Sequence, residues 1–515
     1  MKKLLIPALL LATAFLAGCF KDKGNYDYHD INEITISGIR SSYGVLRNVD
    51  LLQIEPGLVM TDEGTDPARF QYDWVVMKGT TFLDTLGHDR TLSAVVDLPA
   101  DSYVLWYRIL DKQTRMVWRA KTTLTVGDAF SKGLMLIGED ASGNVEADML
   151  VMVSSDTVLR KNILAQSGLP PLQGPVELMH TSGSELYKRL WLMTRSGSYF
   201  LDRSSLKADV NNRFGNLIVT SDNIDKTKLD PIQLAPQLRD SVGNTGSTIY
   251  RAVLCSNGLI YAGSPLINGG DYYTNAINRE SGDFATTFKA APFLFYPIQS
   301  MSSIVWYDTD NDRFMAYTNW AQSVSAPLTD NSGLFPWDQR AAGRKFVYGE
   351  NTRNTDGGTS TQTNSFALLK NSSNEYFIYK FFASASPVKR GYYEVKPMAV
   401  DFGNADFYAF SSRRSVVFYS IGNKLYAYDY NPGNERFYEM PGFGTDEITM
   451  LKFDTQINGP VNSLFVATYN AETGGTLRRY ALDLLDPNTV QLIPQSEHVA
   501  TGLLKVRNMS WRANN

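Results

Sequence analysis

Arg251-Ala252-Val253-Leu254-Cys255-Ser256-Asn257-Gly258-Leu259-Ile260-Tyr261-Ala262 is the stretch from which the fold is read. An apolar run, a tight polar turn and a second apolar run with an aromatic make a β-hairpin. Asn-Gly is among the strongest short-range signals for such a turn. The same unit recurs along the chain. Upstream it appears as Leu134–Gly138 with Val145–Met149, and as Leu190–Thr194 with Tyr199–Asp202. Downstream it appears as Ser303–Tyr307 with Arg313–Tyr317, Ser365–Leu369 with Glu375–Tyr379, Ser415–Ile421 with Lys424–Asp429, and Asn462–Tyr469 with Thr476–Asp483. The seven starts are 56, 61, 52, 62, 50 and 47 residues apart. A propeller blade takes about 40–50 residues, so most units carry insertions. Seven strand pairs with no helical pattern between them fit a seven-bladed β-propeller over residues 133–512. A stack of sandwiches is the competing reading, but each sandwich needs about 100 residues. The stretch Gly502–Met509 is strand-like and follows the seventh unit. It is expected to pair beside the strand at Leu134, because a propeller left open exposes sheet edges.

Residues 33–127 read differently, as a small β-sandwich. Candidate strands are Glu33–Ile39, Leu51–Ile54, Phe70–Met77, Thr91–Val96, Tyr103–Asp111 and Val117–Val126. In the last, Trp118, Ala120, Thr122, Leu124 and Val126 alternate with polar or charged neighbours, the period of a strand with one buried face. Trp74 lies mid-domain, where an immunoglobulin-like sandwich buries its central tryptophan. The whole chain is therefore expected to be all-β.

The N-terminus is an export signal. Met1-Lys2-Lys3 precedes a 13-residue apolar run, Leu4–Leu16, shorter than the roughly 20 residues of a membrane-spanning helix. Leu16-Ala17-Gly18-Cys19 resembles a bacterial lipobox, which implies cleavage after Gly18 and lipidation at Cys19. Residues 1–18 are then a lipoprotein signal peptide and 19–32 a lipidated tether. Three acyl chains exceed the two that anchor a protein stably.

Tyr72-Asp73-Trp74 with Tyr103-Val104-Leu105-Trp106-Tyr107-Arg108-Ile109-Leu110-Asp111 is similar to a PKD-type immunoglobulin-like domain. The tether, Gly24-Asn25-Tyr26-Asp27-Tyr28 through Ile31-Asn32-Glu33-Ile34, resembles the PKD-like family lipoproteins of Bacteroidota. So do Gly133-Leu134-Met135-Leu136 with Glu139-Asp140, Leu190-Trp191-Leu192-Met193-Thr194 and Phe418-Tyr419-Ser420-Ile421-Gly422-Asn423-Lys424-Leu425-Tyr426. The resemblance implies an accessory lipoprotein of SusC/SusD-type uptake loci. Its place would be the outer membrane, lipid-anchored at the cell surface, with the periplasmic face as the alternative. Oligopeptides or glycans would be the cargo.

A net charge of −4 gives no general attraction to nucleic acid. With lipid on Cys19, Cys255 has no intrachain partner and reads as a small core residue. The histidines, His29, His88, His180 and His498, stand singly, so no His/Cys metal site can be spaced. No nucleophile elbow, zinc helix or phosphate loop is legible, and no cofactor is expected. Asp308-Thr309-Asp310-Asn311-Asp312 has the opening carboxylates of a calcium loop. Arg313 and Asn319 stand where that loop needs glycine and glutamate, so it reads as a polar turn. Glu139-Asp140 could serve general acid–base chemistry but also sits in a turn. Two long insertions, Pro265–Ser300 and Asn319–Asn364, carry the candidate contact residues Tyr272, Tyr273, Trp320 and Trp337, because flat amphipathic rings on loops suit recognition. The leading reading is a non-catalytic binding or assembly lipoprotein. The alternative is a propeller-scaffold hydrolase acting on glycans or peptides. Three or more acidic or nucleophilic groups at a channel mouth would favour the hydrolase, and aromatics with amides would favour binding.

Overall fold

The computed structural model describes residues 32–61, 66–128, 130–152, 157–181, 188–330, 333–496 and 499–513. Cys19, residues 1–18 expected as a signal peptide and most of the expected tether lie outside them. Among the described residues the chain is all-β, with a few single-turn helices, and no helix is long and apolar enough to cross a membrane.

The residues form two compact units. The first holds the described residues up to Ser41, with Gln53–Ala94 and Val104–Thr122; the second holds Ser42–Leu52, Val95–Tyr103 and the described residues from Thr123 on. In the first, Phe70–Lys78 pairs antiparallel with Thr81–Gly87 on one side and with residues 104–111 on the other. Ile34–Ser37 pairs with Gly57–Met60. Trp74 is fully buried, as its mid-domain position leads one to expect. Its ring stacks on Tyr107 at 4.4 Å, and its indole N–H donates to the Asp89 carbonyl at 3.0 Å. Thr81–Gly87 and Gly57–Met60 escape the sequence reading because neither buries a continuous apolar face.

The second unit is β-propeller-like. Seven antiparallel sheets follow one another along the chain. Each recurring hairpin forms the second and third strands of one sheet, for example Arg251–Cys255 with Ile260–Gly263. These strands are apolar at consecutive positions because each is buried on both faces. In Ser365–Lys370, Phe366 and Leu368 face the sixth sheet, whereas Ala367 and Leu369 face the fourth. Such clusters join each sheet to the next, and one cluster also joins the seventh to the first through Phe465, Leu134 and Trp511.

The C-terminal strand Lys505–Arg512 pairs with Gly133–Glu139, setting Leu134 opposite Trp511 and Leu136 opposite Met509. The register shifts at Ile137/Gly138. Glycine is required there, since a Cβ on Gly138 would sit 2.0 Å from the Lys505 carbonyl oxygen. The first sheet thus takes strands from both ends of the unit. Sequence reading misses the strand that opens each of the other sheets: Pro175–His180, Pro231–Ala235, Ala290–Phe295, Lys345–Asn351, Phe407–Phe410 and Glu447–Phe453.

Candidate functional site

Those opening strands, together with Lys505–Arg512, bring all seven sheets to the wall of one cavity of about 300 Å³. Each contributes: Asn508, Glu177, Gln233, Phe293, Glu350, Phe407 and Lys452 come from the seven strands in turn.

Much of the polar lining is engaged in holding neighbouring strands together. Gln233 donates to the Leu294 carbonyl at 3.2 Å and accepts from the Leu294 N–H at 2.6 Å. Asn351 reaches the same strand, donating to Leu294 at 2.9 Å and accepting from Tyr296 at 3.2 Å. Asn508 donates to the Val176 carbonyl at 2.9 Å. Lys452 donates to Asn508 Oδ1 and to the Met509 carbonyl, both at 3.0 Å, and lies 3.9 Å from Glu177. These bonds satisfy groups that burial would otherwise penalise.

Two carboxylates are left facing the cavity. Glu350 Oε2 accepts from the Phe410 N–H at 2.8 Å and from the Tyr348 hydroxyl at 3.2 Å. Desolvation pushes its carboxyl up to about 8. Burial also raises the Glu177 carboxyl above its usual range, offset in part by Lys452. The rest of the lining includes the amides of Gln233, Gln237, Asn351 and Asn508 and the rings of Phe293, Tyr296, Tyr348, Phe407 and Phe453, with aliphatic side chains, Thr455, Lys452 and Arg507 between them. The wall therefore offers two acidic groups, not three, amid aromatics and amides.

Both long insertions reach this wall, through Phe293 and Tyr296 and through Tyr348 to Asn351, but the candidate side chains named from the sequence lie elsewhere. Three of the four contact candidates are packing residues, which corrects the expectation of a recognition surface there. Tyr273 is buried against Phe214. Trp320 stacks on Tyr250 at 4.4 Å and donates its indole N–H to the Ser302 carbonyl at 2.8 Å. Trp337 meets Phe314, Phe335 and Phe381 edge-on. A long insertion has to be pinned to the sheets, and a large ring does so by burying its apolar area. Only Tyr272 is exposed, at 49%. The polar run Asn351–Asn364 is a clasp: Arg353 N–H donates to Ser412 Oγ at 3.0 Å, Arg353 Nε to the Thr455 carbonyl at 2.7 Å, and Asn354 to the Ser412 carbonyl at 3.2 Å. Asp308 is buried and caps its turn, accepting from Asp310 and Asn311, with Arg313 beside it at 3.1 Å. Asp140 caps its turn likewise, and Glu139 pairs with Arg507 at 3.1 Å. Among the described residues no group of three His, Cys, Asp or Glu side chains could hold a metal ion.

Residues 19–168 match the model of the PKD-like family. The match runs from Cys19 to the loop after the first sheet. No curated protein matches the chain. Among solved structures, a quinonprotein alcohol dehydrogenase-like protein from Bacteroides thetaiotaomicron aligns at 12% identity over 94% of this chain and 99% of its own, with a TM-score of 0.37. A protein of unknown function from the same organism aligns at 10% identity over 88% of this chain and 99% of its own, with a TM-score of 0.27. The extracellular domain of a putative one-component system, also from B. thetaiotaomicron, aligns at 10% identity over 90% of this chain and 64% of its own, with a TM-score of 0.32.

Proposed function

We propose that this protein is a non-catalytic, lipid-anchored binding component of an outer-membrane SusC/SusD-type uptake assembly, and that its second unit is a seven-bladed β-propeller whose central cavity takes the ligand. The observation that carries this reading is the cavity wall, where amides and aromatic rings outnumber acidic groups and all seven sheets converge. Apolar clusters linking the seven sheets in an unbroken cycle support the seven-bladed reading. Lipid on Cys19 would confine the protein to a membrane plane, where weak contacts gain from high local concentration. Oligopeptides or glycans are the proposed cargo. Purification in mild detergent through a C-terminal tag, with fatty-acid labelling of wild type and Cys19→Ala, tests the proposal. A co-purifying β-barrel transporter and a label lost in the variant are expected. Recovery of the protein alone, together with hydrolysis of a glycan or peptide panel, would displace this reading in favour of a hydrolase.

A further inference from the structure

We propose that the cavity binds its ligand through a primary ammonium group, held by the Glu350 carboxylate and flanked by the rings of Phe293, Tyr348 and Phe407. This rests on the reading of the cavity as the binding site and names the chemistry it selects.

The wall's own hydrogen bonds decide which groups remain for a ligand. Gln233, Asn351 and Asn508 are engaged with neighbouring strands. Glu350 is engaged on one oxygen only. Oε2 takes the Phe410 N–H and the Tyr348 hydroxyl, whereas Oε1 has no hydrogen-bond partner among the described residues. The residue is half-buried, so that oxygen is not sealed in protein.

Charge leaves the same vacancy. The cavity's cations are Lys452 and Arg507, and each is committed. Lys452 lies against Asn508, Met509 and Glu177, and Arg507 pairs with Glu139. No cation stands within ion-pair distance of Glu350 among the described residues, and Lys452, already committed, offsets the burial of its carboxyl only through space and as the smallest contribution. A carboxyl so placed stays protonated near neutrality because burial penalises its anion. An incoming ammonium supplies the missing countercharge, and the carboxyl proton leaves to solvent.

Aromatic rings share the cavity wall with Glu350. Phe293 lies over the backbone next to Glu350, where a Cβ on Gly349 would come within 2.5 Å of Phe293 Cδ1. Phe407 begins the strand whose Phe410 N–H holds Glu350. Ring faces attract a cation that a carboxylate neutralises, and they add little for an alcohol or a carboxylate.

Calorimetric titration of the full chain with hexylamine, hexanol and hexanoate at pH 7 tests the inference, run in two buffers of contrasting ionisation heat. Hexylamine is expected to bind at least about tenfold more tightly than the other two, as a charge-assisted hydrogen bond allows, and to release close to one proton. Glu350→Gln keeps an acceptor for Phe410 and Tyr348, and should fold while losing at least about tenfold in hexylamine affinity and all of the proton release. Displacement by triglycine would identify a peptide amino terminus as the source, and displacement by glucosamine an amino sugar. Either supports the shared chemistry, and acetylating that amine must abolish the displacement. Hexanol binding as tightly as hexylamine, or an unchanged Glu350→Gln affinity, overturns the ammonium inference alone. Failure of all three probes overturns it too, and takes the binding reading with it if no transporter co-purifies.

Discussion

Replacing Trp511 by alanine should weaken the entire second unit, because this residue couples its two ends. Trp511 is 2% exposed and packs in the cluster that joins the first sheet to the seventh. Its N–H donates to Gln456 Oε1 at 2.9 Å, and its indole N–H donates to the Ser241 carbonyl at 2.9 Å. Truncating a buried tryptophan costs about 3–5 kcal/mol. Leaving the Ser241 carbonyl without its donor adds about 1 kcal/mol. The expected loss, about 4–6 kcal/mol, is large against the 5–15 kcal/mol that typically holds a folded protein together. With a urea dependence of about 3 kcal/mol per molar, the unfolding midpoint should fall by about 1.3–2 M. Far-UV circular dichroism and the fluorescence of the seven remaining tryptophans should report the shift. Leu485→Ala, at a side chain 94% exposed, is the control and should stay within about 0.5 kcal/mol of wild type. A Trp511→Ala midpoint within about 0.3 M of wild type would refute the coupling, because that shift equals only about 1 kcal/mol.

Glu350 should make stability fall as pH rises. Its folded carboxyl titrates near 8, against about 4.3 for an unfolded glutamate, so the folded state holds the extra proton in between. Stabilisation is complete below the lower value and is lost through the upper one, at about 1.4 kcal/mol per pH unit at most. Of the groups around Glu350, Tyr348 and Tyr430 are raised well above their usual range and stay neutral across this window, and Glu177, raised by burial, adds a slope of the same sign. Glu350→Gln should therefore raise the melting temperature at pH 9 and leave it unchanged at pH 5; equal slopes in variant and wild type would contradict this. Trp320→Ala and Trp337→Ala should each cost about 3–5 kcal/mol in urea titrations. Unchanged midpoints would return those rings to the list of contact residues. In a Cys19→Ala chain, Cys255 should resist a thiol reagent until the protein unfolds, because burial raises its thiol pKa; labelling of the native chain at the rate of a free thiol would show that the strand opens.

Residue pattern alone was enough for the all-β class, the burial of Trp74 within a sheet and the recurrence of seven hairpins. It could do so because the second and third strands of every sheet are buried on both faces. Burial of that kind leaves a local mark, an apolar run ending at a tight turn, as in Ser415–Asp429. The pairing of the C-terminal stretch with the strand at Leu134 was also legible from Lys505 on, since an unpaired sheet edge is costly wherever it lies, whereas Ala500–Leu503 pairs with Gly474–Leu482 of the seventh sheet instead. The opening strands left no such mark. In Pro175–His180 and Lys345–Asn351, residues that face the cavity or bind a neighbouring strand, such as Glu177, Glu350 and Asn351, interrupt the apolar pattern. Trp320 and Trp337 failed as contact residues for a related reason. A ring in a long insertion has the same sequence signature whether it pins the loop or meets a partner, and only packing tells the two apart. The cavity lay furthest from the sequence's reach. Its wall is one strand from each of seven segments spread over more than 300 residues, and what makes Glu350 distinctive is the set of groups that tertiary structure puts beside it and the cation that it does not.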